Sequence, residues 1–282
     1  MFMQKQDVGV SLFYYLGYSR VRNLILRFQH KAVARFLIFH DILPDAVTCF
    51  RANLQFLKRR TNVVSLDDFL AGTLCSRKIN VVITFDDGYK SWITEAIPLL
   101  RKLKLPATFF VSSGLVGLPN DKGSEYIRSR LLIKKAGERT TGGLSFEDVK
   151  RIAAEGFCVG GHTLNHCNLS QSRDSIKVRY EITEDKERLQ WLTGSRIEYF
   201  SYPFGGYHNR EIDLRQILRE SGYKGAVTTV SGFNVLGSDP FLLHREITYA
   251  SMDWWVFRAR AYGNYDAVRF IRERLRSHLS RS

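Results

Sequence analysis

Two adjacent carboxylates follow an apolar run that is typical of a buried strand. Residues 81–85 read VVITF, and Asp86, Asp87 and Gly88 come directly after them. Successive side chains of a strand point to opposite faces, but a turn at Gly88 can bring both carboxylates toward one pocket. Such carboxylates are costly unless a cation or hydrogen bonds stabilise them. The pattern therefore indicates a cation site with a nearby base, with a turn cap as the alternative, because Asp-Gly is a common turn pair.

A pair of histidines has the spacing of metal ligands. His162 and His166 stand in GGHTLNHCNL, so one helical turn or a tight loop would bring both imidazoles toward one ion. Two His nitrogens and one carboxylate leave a coordination position open for water, as catalytic metal sites do. The second carboxylate would then be placed to take a proton from that water. A His pair alone is more often structural, so this interpretation depends on the Asp and His motifs together.

A third segment joins a short strand to a turn. Residues 198–202 run into Pro203, Phe204 and two glycines. Pro lacks a backbone donor, and Gly lets the main chain approach a ligand closely. The segment is a candidate for a close main-chain contact with a ligand, and an ordinary strand-end turn is the alternative.

The elements that must position these motifs alternate between strands and helices. Four apolar runs predict buried strands, at residues 36–39, 81–85, 107–111 and 226–229, and shorter strand candidates lie at residues 157–160, 198–202 and 246–249. Helices are predicted after N-caps at Ser65 and Ser145, and over residues 176–192 and 209–221. This alternation predicts parallel βα units. Seven strands come close to a barrel, but an open doubly wound sheet has the same local pattern.

In this order, and at strand ends, TFDDG, HTLNH and YPFG resemble the motifs of the polysaccharide deacetylases, the NodB-homology family of metal-dependent N-deacetylases. The resemblance extends from about residue 36 to residue 248. It implies an α/β fold, a distorted (β/α) barrel with seven or eight parallel strands. It also implies hydrolysis of an N-acetyl group on an amino sugar, with release of acetate.

The resemblance assigns roles to the motif residues. Asp86 matches the general base of the family, and the matching metal ligands are Asp87, His162 and His166. The substrate groove would be lined by Tyr202, Pro203 and Phe204, with the backbone N–H of Phe204 facing the oxyanion. Zinc is the first expectation for the divalent metal, but this ligand set also suits cobalt, nickel and iron.

Two departures from the family pattern matter. The third motif of the family has Arg two residues before its Pro, where this sequence has Ser201, and Arg245 is the candidate to orient the base instead. The Leu-x-x-His motif is not near the C-terminus but at the front, as Leu-Ile-Phe-His40. This resembles the deacetylases of biofilm poly-N-acetylglucosamine systems, whose motif order is circularly permuted. It implies that His40 protonates the leaving amine, with His244 as the second candidate.

Composition separates this chain from several protein classes. It has 282 residues, 44% hydrophobic and 25% charged, which excludes a disordered tail, a collagen-like repeat and a disulfide-stapled miniprotein. Its four cysteines form no CxxC pair. The formal net charge of +14 favours an acidic partner such as an anionic glycan, an anionic membrane or nucleic acid.

The basic residues are concentrated at the two ends. The sequence predicts a basic N-terminal segment (1–35), a deacetylase barrel (36–250) and a basic C-terminal helix (251–282) packed on the barrel or extending from it. That helix mixes Arg and aromatics, which suits an anionic membrane or a lipid-linked glycan as well as simple packing. Nucleic acid is disfavoured, because no recognised binding module accompanies these residues. The absence of a signal-peptide pattern predicts a cytoplasmic location, with the inner membrane face as a contact surface.

The first functional hypothesis is a metal-dependent N-deacetylase acting on an N-acetylated amino sugar in a polysaccharide or its lipid-linked precursor. A non-catalytic glycan-binding protein with the same fold is the alternative that the missing motif Arg favours. A third possibility is an amide hydrolase with a non-sugar substrate and the same metal machinery.

Overall fold

The computed structural model describes residues 32–118 and 140–266. The predicted basic N-terminal segment lies almost entirely outside the described residues, as does the second half of the predicted C-terminal helix, residues 267–282. In the described part, a curled sheet is enclosed by helices.

A sheet of nine strands forms the centre of the described part of the fold. The strands are β1 (Val33–Phe39), β2 (Asn62–Val63), β3 (Asn80–Asp87), β4 (Thr108–Val111), β5 (Cys158–Gly161), β6 (Tyr199–Ser201), β7 (Gly225–Val227), β8 (Asn234–Val235) and β9 (Glu246–Ile247). All of them pair in parallel except β8, which is antiparallel to β1. All seven predicted strands are present, with bounds shifted by up to three residues. The sequence analysis missed β2 and β8, because strands of two residues are too short to show alternation.

The strands follow one another around the sheet. The order is β7-β6-β5-β4-β3-β1, and each of these neighbouring pairs is parallel. Strand β9 pairs with β1 in parallel, while Leu243, just before β9, bridges to Val227 of β7. Residues 243–247 therefore connect the two edges and curl the sheet into a barrel. The predicted distorted (β/α) barrel is confirmed, and the doubly wound alternative is wrong, because the strand order never reverses.

Helices cover the outside of the sheet. They are α1 (Val47–Arg60), α2 (Leu66–Leu70), α3 (Ile97–Leu103), α4 (Phe146–Ala154), α5 (Ser175–Thr193), α6 (Leu214–Glu220) and α7 (Trp254–Ala261). The predicted caps at Ser65 and Ser145 are confirmed, since each side chain accepts from the third helical residue in a capping box. Helices α1 and α3 were not predicted.

The interior of the barrel has an apolar and a polar layer. Phe36, Val82, Phe110, Tyr199 and Leu243 share one buried cluster with Leu66 and Phe69 of α2. The rings of Phe36 and Phe69 meet edge to face at 5.0 Å, so α2 closes the end where the strands begin. Toward the carboxyl ends of the strands the interior becomes polar, with Thr84, Asp86, Ser201 and Arg245 in mutual hydrogen-bonding contact.

Helix α7 packs on the outer side of β1. Phe257 is buried and stacks on Phe39 at 6.1 Å. The buried Arg35 joins Glu246 at 2.5 Å and Asp266 at 2.8 Å, which ties the residues after α7 to the barrel wall. Among the residues that the structure describes, no helix combines the length and the apolar character that crossing a bilayer requires.

Candidate metal centre and active site

Strand β3 delivers two carboxylates to the rim of the barrel. Asp86 points into the barrel, where it meets Arg245. Asp87 has a φ of 92° and Gly88 a φ of 115°, in the left-handed region that most side chains avoid. Gly88 tolerates this conformation because it lacks a Cβ. The turn redirects Asp87, so that both carboxylates serve the same end of the barrel despite the alternation of the strand.

Asp87, His162 and His166 form a buried cluster with the chemistry of a metal site. The Nε2 atoms of both imidazoles lie 3.2 Å from Oδ1 of Asp87. One ligand atom from each residue lies within 4.8 Å of the others. Burial of a carboxylate against two imidazoles is costly unless a cation or protons compensate. The donor set and its burial therefore fit a divalent cation, and nitrogen with oxygen ligation suits zinc and its neighbours.

His162 is oriented from two sides. Its Nδ1 lies 2.7 Å from the carbonyl oxygen of Ser201, which assigns the proton to Nδ1 and leaves Nε2 free to ligate. Its backbone N–H donates to Oδ2 of Asp185, and Oδ1 of the same carboxylate accepts from the backbone N–H of Ser113. Burial raises the pKa of Asp185 to about 6, against these hydrogen bonds. Helix α5 thus clamps the end of β5 through one buried carboxylate.

The loop that carries His166 has unusual backbone geometry. Thr163 has a φ of 60° and His166 a φ of 51°. Glu181 holds the loop, because its carboxylate accepts from the backbone and the side chain of Asn165, at 2.9 Å each. The ring of His166 packs against Phe204 at 4.6 Å. The two histidines therefore meet through a tight loop and not through a helical turn.

Asp86 is held by a guanidinium that comes from a distant strand. Arg245 donates from Nη1 to Oδ1 at 2.7 Å and from Nη2 to Oδ2 at 2.6 Å. Ser201 donates to Oδ2 at 3.0 Å and accepts from Arg245 at 2.7 Å. Burial favours a higher pKa for Asp86, but the charges of Arg245 and His162 outweigh it, and the pKa lies below its ordinary value. The carboxylate is therefore ionised at neutral pH.

Asp87 is stabilised as an anion by its neighbours. Burial again opposes ionisation, but hydrogen bonds from His162 and His166 hold its pKa well below the ordinary value. The hydroxyl of Tyr89 also hydrogen-bonds Asp87, and burial together with that charge raises the pKa of the phenol well above its usual range. Tyr89 therefore stays protonated and remains a donor to this carboxylate.

His40 lies at the rim next to both aspartates. Ala34 and Phe36 face the barrel interior, and by alternation along β1 His40 faces the same way. Phe39 pairs with Phe85 in the parallel register of β1 and β3, so His40 follows directly beside Asp86. Its backbone carbonyl accepts from Nε1 of Trp92 at 3.0 Å.

His244 occupies different surroundings. Its neighbour Arg245 points into the barrel, so alternation directs His244 outward. Its ring lies against Gly232, and its backbone N–H donates to Asn234 at 2.8 Å. The structure thus separates the two candidate acids, with His40 at the Asp pair.

The structure corrects the predicted groove wall. Tyr202 is fully buried and its hydroxyl donates to the carbonyl of Phe241 at 3.2 Å, while Pro203 is buried as well. Only Phe204, with a φ of 59°, exposes its side chain, to 41%. The segment can therefore contact a ligand through Phe204 and the main chain, but not through the Tyr202 and Pro203 side chains.

A groove continues from the metal cluster along the surface. It encloses about 320 Å³ and is lined by His166, Phe204 and polar residues that include Asn168, Gln171 and Lys177. Its lining is mixed, since Leu169 and Val178 also contribute, and polar groups beside apolar surface suit a sugar that extends beyond the reacting group.

Fold and site together define a (β/α)-barrel protein with a buried Asp-His-His cluster, suited to a divalent cation, at the carboxyl ends of its strands. The family model for polysaccharide deacetylases matches residues 74–226, and the chain belongs to that family. The family predicted from the three motifs is therefore confirmed, and with it the membership of a family of hydrolases.

Named relatives agree with this family. The chain is 30% identical over 134 residues to a chitooligosaccharide deacetylase of Rhizobium leguminosarum bv. trifolii, covering 47% of this chain and 48% of that protein. It is 29% identical over 146 residues to a peptidoglycan-N-acetylglucosamine deacetylase of Bacillus cereus, covering 51% and 54%. The chain spans about half the length of the curated relatives it matches.

Among solved structures, IcaB from Ammonifex degensii is similar over 82% of this chain and 97% of that chain. Its TM-score is 0.65 at 25% sequence identity.

Several residues of the site escaped the sequence analysis. Three of them, Asp185, Glu181 and Tyr89, belong to no motif. Ser201 was noted only because it occupies the position where the family motif has Arg. A usable signal existed for Asp185, because it lies between Ile182 and Leu189 on the buried face of α5. A charged residue on the apolar face of a predicted helix indicates a buried partner.

Proposed function

We propose that this protein is a metal-dependent N-deacetylase that removes acetyl groups from an N-acetylated amino sugar in a polysaccharide. The observation that carries the proposal is the buried Asp87, His162 and His166 cluster beside the ion-paired Asp86. Membership of the polysaccharide deacetylase family and the similarity to named sugar deacetylases support it. Zinc remains the preferred metal, with cobalt, nickel or iron as alternatives.

Each residue of the site has a separate role in the hydrolysis. Asp87, His162 and His166 would hold the cation, which supplies Lewis-acid polarisation of the amide and acidifies water. Asp86 accepts the proton of the attacking water, because it is ionised at neutral pH and Oδ1 keeps an acceptor site beside its one bond to Arg245. The backbone N–H of Phe204 is the proposed donor to the oxyanion.

The amine leaves only if it receives a proton. His40 is the proposed donor, because it lies at the rim close to Asp86 and Asp87, whereas His244 faces Gly232. The C–N bond then breaks with release of acetate and the free amine. The position of His40 at the end of the first strand, together with the similarity to IcaB, supports the circularly permuted subtype.

The structure weakens the case for the non-catalytic alternative. That alternative depended on the missing motif Arg, and Arg245 supplies a bidentate guanidinium to Asp86 from another strand. A cytoplasmic location stays a prediction from sequence.

The test is acetate release by metal-stripped protein reloaded with zinc, cobalt or nickel. Substrates should include chitooligosaccharides, poly-N-acetylglucosamine and peptidoglycan, with an N-acetyl-lysine peptide to represent a non-sugar amide. Asp86→Asn is the matched control, since it should retain the metal and lose turnover. Release from the peptide but from no sugar would replace the proposal with the non-sugar hydrolase. Tight metal binding without release from any substrate would refute it.

A further inference from the structure

The end of the barrel opposite the candidate active site carries a basic and aliphatic surface. We define this docking face by its residues Lys58, Arg59, Arg60, Arg77, Lys78, Val235 and Leu236. We propose that the docking face binds an anionic lipid bilayer and turns the candidate active site away from it.

Strand registers bring these residues together. Asn62 of β2 and Ala34 of β1 both pair with Asn80 of β3, and Val33 pairs with Val235 of β8. Arg60 and Lys78 precede the paired Asn62 and Asn80 by two residues each, so they emerge side by side. Val235 lies two strands from β3, which is about 10 Å at the usual strand spacing. The starts of β1, β2 and β3 and the end of the antiparallel β8 thus present one continuous face.

The basic residues of the docking face form no ion pairs within the described part of the protein. All five are exposed, and none has a carboxylate partner among residues 32–118 and 140–266. The nearby acids are engaged elsewhere, because the Asp68 carboxylate accepts from the backbone N–H of Ser65 and Asp67 accepts from the Tyr199 hydroxyl. The dipole of α1 accounts for basic residues at its C-terminus, but not for Arg77 and Lys78.

Exposed aliphatic side chains adjoin this charge. Val235 is 42% and Leu236 53% exposed. Leu236 approaches Gly72, whose Cβ position would lie 3.7 Å from its Cδ2 atom. Aliphatic tips with surrounding Lys and Arg fit a bilayer interface, where the tips enter the acyl boundary and the cations attract anionic lipid. Nucleic-acid surfaces add aromatic stacking platforms, and the docking face has no aromatic residue.

Both ends of the described chain reach the same part of the barrel. Strand β1 begins at Val33, and Asp266 pairs with Arg35 near that start, at 2.8 Å. Residues 1–31 and 267–282 each carry five Lys or Arg against one acid. More than half of the net charge of +14 is therefore attached at this end. These two terminal segments and the docking face are both positively charged and repel each other. The protein's own termini are therefore poor occupants of that face.

The orientation has a consequence for the substrate. Strand β3 runs from Asn80 near the docking face to Asp87 in the metal cluster, a length of about 20 Å. A bilayer bound at the docking face therefore lies on the far side of the barrel from the groove. If the proposed function holds, this favours a polymer that arrives from solution over a lipid-linked precursor in the same bilayer.

The test is co-sedimentation of the full chain with vesicles. Vesicles of phosphatidylcholine alone are compared with vesicles that contain 30% phosphatidylglycerol. Each Lys or Arg near an anionic surface contributes about five-fold in partitioning. Neutralising Arg60, Arg77 and Lys78 to Gln should therefore reduce binding to the anionic vesicles about 100-fold. A control with the same charge change is Lys150→Gln, Arg173→Gln and Arg210→Gln, whose side chains are exposed elsewhere.

Val235→Ser with Leu236→Ser tests the aliphatic part separately and should weaken binding without changing charge. The orientation of the bound protein is measured by acetylating its lysines in the presence of vesicles. Lys58 and Lys78 should be protected, while Lys177 beside the groove should stay reactive. Equal binding by both triple variants, or protection of Lys177 in place of Lys58, would overturn the proposal. So would tight binding of a DNA 20-mer at a salt concentration where the vesicles do not bind. None of these outcomes depends on deacetylase activity.

Discussion

Replacing Arg245 by Met removes the guanidinium that holds Asp86. The pair is bidentate, at 2.7 and 2.6 Å, and both side chains are almost completely buried, at 0% and 4% exposure. Removing one partner of a buried pair leaves an uncompensated charge and costs about 3–5 kcal/mol. We therefore expect the free energy of unfolding of Arg245→Met to fall by that amount at pH 7.

The stability deficit of Arg245→Met should depend on pH in a defined direction. In the wild type the pKa of Asp86 is below its ordinary value, so its contribution to stability is present above about pH 4 and lost as the pH falls further. Without Arg245, burial dominates and raises the pKa of Asp86. A raised pKa makes the protonated form the stable one, so this group destabilises the variant as the pH rises. The deficit of Arg245→Met should therefore shrink between pH 7 and pH 5.

The measurement is urea unfolding of metal-free protein across pH 5 to 8. Arg179→Met is the matched control, because Arg179 pairs with Glu220 at 2.6 Å on the surface, with both side chains more than 40% exposed. Exposed pairs contribute at most about 1 kcal/mol, without a steep dependence on pH in this range. A deficit for Arg245→Met no larger than that of the control, or one that grows as the pH falls, would refute the reasoning.

The same variant should lose turnover, and the acid limb of its pH–rate profile should move to higher pH. Ser201→Arg combined with Arg245→Ser returns a guanidinium to the position that the family motif uses. Ser201 lies 3.0 Å from Asp86 and 2.7 Å from Arg245, so the new side chain could occupy the vacated space. We expect the double variant to be at least about ten-fold more active than Arg245→Ser alone, in line with general-base contributions. If the activity does not recover, the guanidinium is effective only from position 245.

Three further outcomes are expected. His166→Gln should abolish the rise in melting temperature that excess zinc produces in the wild type, a stabilisation of about 2.7 kcal/mol at a hundred-fold excess over Kd; an unchanged rise would exclude His166 as a ligand. His40→Gln should lower turnover about 100-fold while zinc affinity stays constant, and near-normal turnover would return the acid role to His244. Asp185→Asn should cost about 1–3 kcal/mol, because one amide cannot accept from the N–H groups of both Ser113 and His162. Since the pKa of Asp185 is raised to about 6, its stabilising protonated form is lost as the pH rises, so this deficit should be larger at pH 5 than at pH 7; equal deficits would contradict the assignment.

Local sequence was sufficient for the strands and the reactive motifs. Four of the seven strands could be predicted because each follows an apolar run, as expected for parallel strands buried on both faces, and the three shorter ones were predicted as weaker candidates. Asp87 and the two histidines could be placed together because parallel strands end at one rim, where the family motifs also lie. The capping boxes at Ser65 and Ser145 depend on residues three positions apart and were equally readable.

Tertiary structure decided everything that depends on barrel closure. Arg245 reaches Asp86 across 159 residues of sequence because residues 243–247 join the sheet edges, and no local pattern encodes that junction. The burial of Tyr202, which the motif suggested as a groove residue, likewise follows from packing against Phe241. The docking face exists because the starts of β1, β2 and β3 meet the end of β8 at one edge, although its charges are scattered along the chain. Short-range propensity sets elements and caps, whereas contacts between distant segments arise only when the sheet closes.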